Sequence, residues 1–330
     1  MEDVPQSARR VTLGIGDDAA VWRPSRSHLS VITSDALIDG VHFLSGASAP
    51  RAIGHRAMAS NLSDIAAMGA RPVLATVALG VAPGTSEEWI LECYRGMAAL
   101  AARQRTRIVG GDIVRAPVLT LALTLVGEVA PSRLKRRDGG KPGDVVAVSG
   151  PLGASRAGLE IIRSSPEIEA SARAAALAAY EKPEPRVSEG RWLAASRNVH
   201  AMMDSSDGLS TDLARLAAAS GCGATISHVP VHPAAEAVAR AAGADPNGYA
   251  LDGGEDFELI AAVGPRAFAH LSRHFERRFG RPLLAVGQLD AEPGLRLRER
   301  GAERKLAPGG YDHLNAETGL PETVGSFSSS

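Results

Sequence analysis

The sequence predicts a mixed α/β protein of two domains. Three observations carry this. Apolar residues recur at strand and helix periods, in alternation, along both halves of the chain. Acids sit beside glycine where these segments end or turn, as in Gly14-Ile15-Gly16-Asp17-Asp18, Gly110-Gly111-Asp112 and Gly253-Gly254-Glu255-Asp256. The length of 330 residues suits two domains of ordinary size.

In the first half, residues 29–33 read as a short strand. Residues 51–68 are helical, because Met58, Leu62 and Ile65 fall at i, i+4 and i+7; Gly69 and Pro72 then stop the helix. Residues 73–79 form a strand. Thr85-Ser86-Glu87-Glu88 resembles a capping box, opening a helix that runs to about Arg103. Residues 118–129 are a long β-rich run. A basic, glycine-containing stretch at 133–143 marks the boundary, giving domains at 1–137 and 138–320 and a flexible tail at 321–330. The second half continues with a strand at 144–149, a helix at 154–163 and an Ala-rich helix at 170–180, broken by Pro183 and Pro185. A strand at 199–203 feeds the Asp204 loop. The next helix has Leu209, Leu213 and Leu216 on one face. A strand at 257–263, a helix at 265–279 and a strand at 283–287 complete the pattern.

Composition excludes several classes. Net charge is −1, which gives no footprint for a nucleic-acid partner. No apolar run approaches the ~20 residues needed to span a bilayer. Cys93 and Cys222 make no metal spacing and suit a reducing, cytoplasmic setting. Residues 1–10 are polar and lack the apolar centre of a signal peptide. Aromatic residues are only 4%, so the core is packed with small side chains. No dinucleotide glycine fingerprint, phosphate-binding P-loop or acyl-transfer elbow is present.

The acids carry the chemistry. Carboxylates grouped without basic partners repel one another unless a cation neutralises them, and hard cations such as Mg²⁺ take oxygen ligands together with phosphates. Each segment also has a plainer explanation. Taken alone, Gly16-Asp17-Asp18 more often makes a turn with solvated acids. Thr33-Ser34-Asp35 closes a strand, as a loop site or a cap. Asp64 lies in an apolar helix segment and needs a partner. Gly110-Gly111-Asp112 follows a strand, where glycine N–H groups can hold phosphate oxygens or simply form a loop. Asp204-Ser205-Ser206-Asp207-Gly208 enters a helix, so its free N–H groups face whatever binds there, although Ser206 or Asp207 also suits an N-cap. Glu255 follows two glycines and can accept from a cation or amine. A lone histidine such as His42 is more often structural.

Taken in order, these segments resemble the thiamine-monophosphate kinase family, in the superfamily of aminoimidazole ribonucleotide synthetase, selenide water dikinase and the hydrogenase maturation protein HypE. The matching stretches are Gly14-Ile15-Gly16-Asp17-Asp18, Asp39-Gly40-Val41-His42-Phe43, Asn61-Leu62-Ser63-Asp64-Ile65-Ala66-Ala67-Met68-Gly69-Ala70 and Gly110-Gly111-Asp112. The second half adds Lys141-Pro142-Gly143-Asp144, Ser206-Asp207-Gly208-Leu209, Gly253-Gly254-Glu255-Asp256-Phe257-Glu258-Leu259 and Gly310-Tyr311-Asp312-His313. The resemblance implies the two-domain fold of aminoimidazole ribonucleotide synthetase, with a homodimer formed through the N-terminal sheet. It implies ATP-dependent phosphorylation of thiamine monophosphate to thiamine diphosphate, with several Mg²⁺ ions. Position by position, Asp18, Thr33, Ser34, Asp35, Asp64, Asp112, Asp204 and Asp207 match metal ligands. Gly111, Asp112, Arg137 and Ser206 match nucleotide-binding positions, and His42, Glu255 and Tyr311 match substrate contacts. Thr33-Ser34 inverts the Ser-Thr order of other members, yet still offers two hydroxyls. Asp17 receives no role.

The alternatives are another ATP-using enzyme of the superfamily, such as aminoimidazole ribonucleotide synthetase, or a non-catalytic nucleotide-binding protein. His42-Phe43, residues 253–259 and Tyr311 favour the kinase over the synthetase. The dikinase and HypE expect a reactive Cys or Sec near the start and a terminal Cys respectively. A non-catalytic protein would have lost the acids.

Overall fold

The structure, a computed structural model, describes residues 11–16, 19–299 and 301–310. In the N-terminal half, β1 (Val11–Leu13) and β2 (Val21–Trp22) pair antiparallel. They are followed by β3 (Leu29–Ile38), α1 (Pro50–Ala67), β4 (Arg71–Val81), α2 (Glu87–Arg103), β5 (Arg107–Arg115) and β6 (Thr120–Val129). The four longer strands form one sheet, ordered β3-β6-β4-β5, in which only β4 and β5 run parallel. One face, carrying Val77, Leu79, Leu121, Leu123 and Leu125, is buried. Helices α1 and α2 pack beside it in a shared core that includes Met58, Leu62, Ile65 and Met97.

Helix α1 starts with Pro50, whose fixed φ suits the first turn, and ends before Gly69 at φ +68°. It is buried on nearly every side, because its other flank meets the C-terminal half. The crossing with α2 is close: a Cβ at Gly54 would lie 1.9 Å from the Cys93 carbonyl oxygen, and one at Gly96 2.0 Å from that of Arg51. Small residues, not aromatic bulk, set this spacing.

Three local expectations change. Strand β3 does not end at Thr33-Ser34-Asp35. It runs on to Ile38 because all ten residues pair with β6, from Leu29 opposite Val129 to Ile38 opposite Thr120. The complete ladder outweighs the low strand preference of Asp. Gly110-Gly111-Asp112 is likewise inside β5, not in a loop after it. Gly111, at φ +154°, makes way for the neighbouring strand, since a Cβ there would lie 1.9 Å from the Val77 carbonyl oxygen. The cap of α2 is Ser86, whose hydroxyl accepts the Trp89 N–H at 3.1 Å, in place of Thr85.

The C-terminal half contains β7 (Val145–Val148), α3 (Ala154–Ser164), α4 (Ala170–Glu181), α5 (Val187–Ala194), β8 (Val199–Asp204), α6 (Leu209–Ala219), β9 (Gly223–Ile226), α7 (Pro233–Ala241) and α8 (Pro246–Asp252). Then come β10 (Leu259–Val263), α9 (Pro265–Phe279), β11 (Leu284–Asp290), β12 (Gly294–Glu299) and β13 (Ala302–Lys305). Their seven-stranded sheet has the order β13-β12-β9-β11-β7-β10-β8. Strand β10, flanked by β7 and β8, is buried throughout. The core beside α1 and α2 continues into this half through Val187, Leu193, Met202, Leu259 and Phe275. No described helix is long and apolar enough to cross a membrane.

Candidate functional site

A cleft of about 910 Å³ opens between the two halves. Strand β3 and α1 supply one wall. The loop after β8, the loop after α8, α3 and the 309–310 segment supply the other.

Four carboxylates converge on one end: Asp35 from β3, Asp64 from α1, Asp204 at the end of β8, and Asp207. Strand alternation sends Thr33 and Asp35 to the same side of β3. The Thr33 hydroxyl donates to the Asp64 carboxylate, and the Ser63 hydroxyl donates to Asp204 at 2.7 Å. The Ser34 hydroxyl instead donates to the Leu123 carbonyl oxygen at 3.0 Å. Of the two hydroxyl neighbours, therefore, Thr33 is the one turned to the acid cluster.

Crowding and burial disfavour the ionised forms. Burial, and then the charge of Asp64, push the Asp35 carboxyl up to about 6. The same two causes push Asp204 up to about 8, and burial also raises Asp64. The Asp207 partner is Arg215, one turn beyond Asp212 on α6.

The loop geometry corrects one expectation. The N–H groups of Ser206, Asp207 and Gly208 do not face the cleft. All three donate to a single Asp212 carboxylate oxygen, at 2.9, 2.9 and 3.1 Å. Asp212 is buried, and burial followed by Asp207 pushes it up to about 7. It shapes the loop that presents Asp204 and Asp207. The 309–310 segment is tied alongside, with Gly309 N–H donating to the Ser210 hydroxyl and Gly310 N–H to that of Thr211.

The other end of the cleft holds His42, Tyr180 and Glu255, with Arg156 and Arg163 from α3. His42 Nδ1 accepts the Ile38 N–H at 3.1 Å, which places the ring proton on Nε2. Glu255 adopts φ +63° and pairs with Arg56 of α1.

The remaining expected residues are dispersed. Ser206 lines the cleft. Arg137 lies outside the lining but close enough for its charge to lower the Asp64 pKa. Gly111 and Asp112 are not in the lining. Asp112 aligns with Ala78, then Ala122, then Ala36, on the face turned away from Thr33 and Asp35. It sits on the opposite edge strand, about 14 Å from β3 at ~4.8 Å per strand spacing. Asp17, Asp18 and Tyr311 lie outside the described residues. Arg56, Tyr180 and Asp212 were not singled out from the sequence. Arg56 had a usable signal, a charge within an apolar helix, the same signal that marked Asp64.

Among the described residues, no three His, Cys, Asp or Glu side chains already form a metal cage. The cluster still fits Mg²⁺ chemically, since its donors are all oxygen and Mg²⁺ keeps waters and phosphates alongside a few carboxylates. A pH effect follows. Asp35 and Asp204 hold protons in the folded state to about 6 and about 8, against 3.8 ordinarily. Folded protein therefore binds more protons than unfolded protein between those values, and stability falls as pH rises from about 4 to about 8. Calorimetry of metal-free protein should show a falling Tm across this range, and Mg²⁺ should raise Tm more at pH 8 than at pH 6. An equal Mg²⁺ effect at both values would refute the linkage.

Two sheets joined around one buried helix, with acids from both halves facing a shared cleft, define the class to which the chain belongs. The model for the AIR synthase related protein N-terminal domain matches residues 16–129, and that for the AIR synthase related protein C-terminal domain matches residues 141–296. A thiamine-monophosphate kinase from Synechococcus elongatus is 35% identical over 288 residues, covering 86% of each chain. The crystal structure of thiamine-monophosphate kinase from Stenotrophomonas maltophilia K279a superposes with a TM-score of 0.80 at 33% identity, covering 89% of this chain and 93% of that one. The structure of AaThiL complexed with AMPPCP and TMP gives 0.77 at 29% identity, covering 88% and 89%. The chain belongs to the thiamine-monophosphate kinase family.

Proposed function

We propose that this cleft phosphorylates thiamine monophosphate to thiamine diphosphate by direct in-line transfer of the ATP γ-phosphate. The observation that carries this reading is the convergence of Asp35, Asp64, Asp204 and Asp207 at one end of a cleft whose other end presents Glu255, His42 and Tyr180. The acid end suits a metal–phosphate site. Glu255 suits the aminopyrimidine or the thiazolium charge. The acceptor is already a phosphate monoester, so it attacks without a general base and no phospho-enzyme forms. Several Mg²⁺ ions held by the acids would supply charge neutralisation between the two phosphate groups. Thr33 and Ser206 are assigned to the same end, Asp18 to the metal by its motif, Arg137 to the nucleotide phosphates, and Tyr311 to the thiamine rings. Both free cysteines are buried, in keeping with a cytoplasmic enzyme.

The reading includes a homodimer. The sheet face away from α1 and α2 carries Ile32 (69% exposed) and the Ala36, Ala122 and Ala78 row, with β1 and β2 packed against its Leu74 and Val109 region. Ser34 and Ala36 of that face also line the cleft, which therefore reaches around the β3 edge. A second copy covering the face would bring its own β5, with Gly111 and Asp112, to that edge. Asp112 then serves the partner's site.

The test is a coupled assay offering ATP with thiamine monophosphate or with free thiamine. Turnover is expected with the monophosphate only, with no acid-stable label left on the protein from γ-labelled ATP. Phosphorylation of thiamine alone overturns the reading.

A further inference from the structure

Arg56 lies in the middle of α1, and its side chain is 2% exposed. Its Nη2 donates to Glu255 Oε2 and, at 2.8 Å, to the His42 carbonyl oxygen. Its guanidinium lies 4.0 Å from the centre of the Tyr180 ring. One buried cation thus touches three residues that line the substrate end of the cleft, without lining it itself. Its Nε and Nη1 have no hydrogen-bond partner among the described residues. A buried pair of this kind is a poor way to gain stability, since desolvation offsets the attraction and unpaired donors add a cost.

Glu255 shows what the arrangement secures. It is 31% exposed, and its Oε1 takes no hydrogen bond among the described residues. Its backbone is left-handed, as is that of Phe257 at φ +50°. Such strain persists only where the surroundings over-determine it. Here the Glu255 N–H donates to the Ser206 carbonyl oxygen at 2.8 Å and the Phe257 N–H to that of Ser205 at 3.0 Å. The Glu255 loop is thereby laced to the loop carrying Asp204 and Asp207. Its backbone is fixed from the C-terminal half, and its carboxylate is fixed from α1.

We propose that Arg56 is a positioning residue for the substrate. It holds the Glu255 carboxylate by one oxygen, leaving the other to the cleft, and it fixes the Tyr180 ring and the His42 backbone beside it. The inference rests on the kinase reading above. Steady-state kinetics of Arg56→Met, Arg56→Lys, Glu255→Gln and the Met/Gln double variant test it, with Tm measured for each.

Arg56→Met should raise KM for thiamine monophosphate about tenfold or more, the scale of a lost charged hydrogen bond, while KM for ATP stays within about twofold. Arg56→Lys keeps the charge without the fork and should recover part of the loss. The double variant should lose clearly less than the two single losses combined, because the Arg56–Glu255 part of the effect is shared. A lowered Tm with both KM values unchanged in Arg56→Met and Arg56→Lys, or additive losses in the double variant, would overturn the proposal. Wild-type protein without turnover on thiamine monophosphate would instead sink the kinase reading.

Discussion

Asp112→Asn protein and Asp204→Asn protein, each inactive alone, should regain turnover when co-expressed. Asp204 lies in the cleft, whereas Asp112 is on the far edge of the N-terminal sheet and on its other face. In a two-fold dimer that shares Asp112 across the interface, a mixed pair has one site with both acids intact and one with both replaced. Random pairing makes half the dimers mixed, so recovery should approach about a quarter of wild-type turnover. Two affinity tags isolate the mixed dimer, and circular dichroism should show that Asp112→Asn leaves the fold intact. Inactive mixed dimers would mean that Asp112 does not act across the interface. Full activity in Asp112→Asn alone would remove it from the site.

Asp204→Asn should move activity and stability in opposite directions. Asp204 is buried, beside Asp64, and pushed up to about 8, so its charge opposes folding in metal-free protein above that pH. The amide keeps a partner in the Ser63 hydroxyl and sheds the charge. Metal-free Tm at pH 8.5 should therefore rise. Turnover should fall at least about 10²–10³-fold, the scale of removing one preorganised electrostatic contact from a transition state. A lower Tm, or a kcat near wild type, would contradict the roles given to this carboxylate. The pairing of gain and loss is expected where a site holds like charges together for a ligand's sake.

The elements with strong periodicity were legible in the sequence. Residues 51–68 and 265–279 emerged within a residue of α1 and α9, because large apolar residues such as Met58, Leu62 and Ile65 repeat at the helical period and Pro and Gly bound the run. Helices α5, α7 and α8 were not read, being at most nine residues long and built largely from small or polar residues. Strand β12 does alternate buried Leu295 and Leu297 with Arg296 and Arg298, a short signal that was missed, whereas edge strand β13 is exposed throughout and carries none. The acids were legible as a set because six glycine-flanked or apolar contexts shared one anomaly. Their grouping was not: Asp112 and Asp35 look alike in sequence, and only strand order separates them. The role of Asp212 was equally hidden, since a carboxylate that gathers three N–H groups looks in sequence like one more polar residue of the helix start.

Helix α1 makes the two halves unequal. The C-terminal half contains two apolar clusters entirely its own, around Leu213, Ile260 and Val286 and around Ala235 and Val238. The main core of the N-terminal half contains no such boundary, because the α1 flank bearing Ser63 and Asp64 finishes against β8 and α5. Detached, the N-terminal half would expose a stripe meant for the interior; the C-terminal half would lose mainly a covering. Dependence between the two halves is thus asymmetric. The acids of the first half keep their buried setting only with the second in place, since Ser63 donates across to Asp204 and Asp64 lies beside that carboxylate.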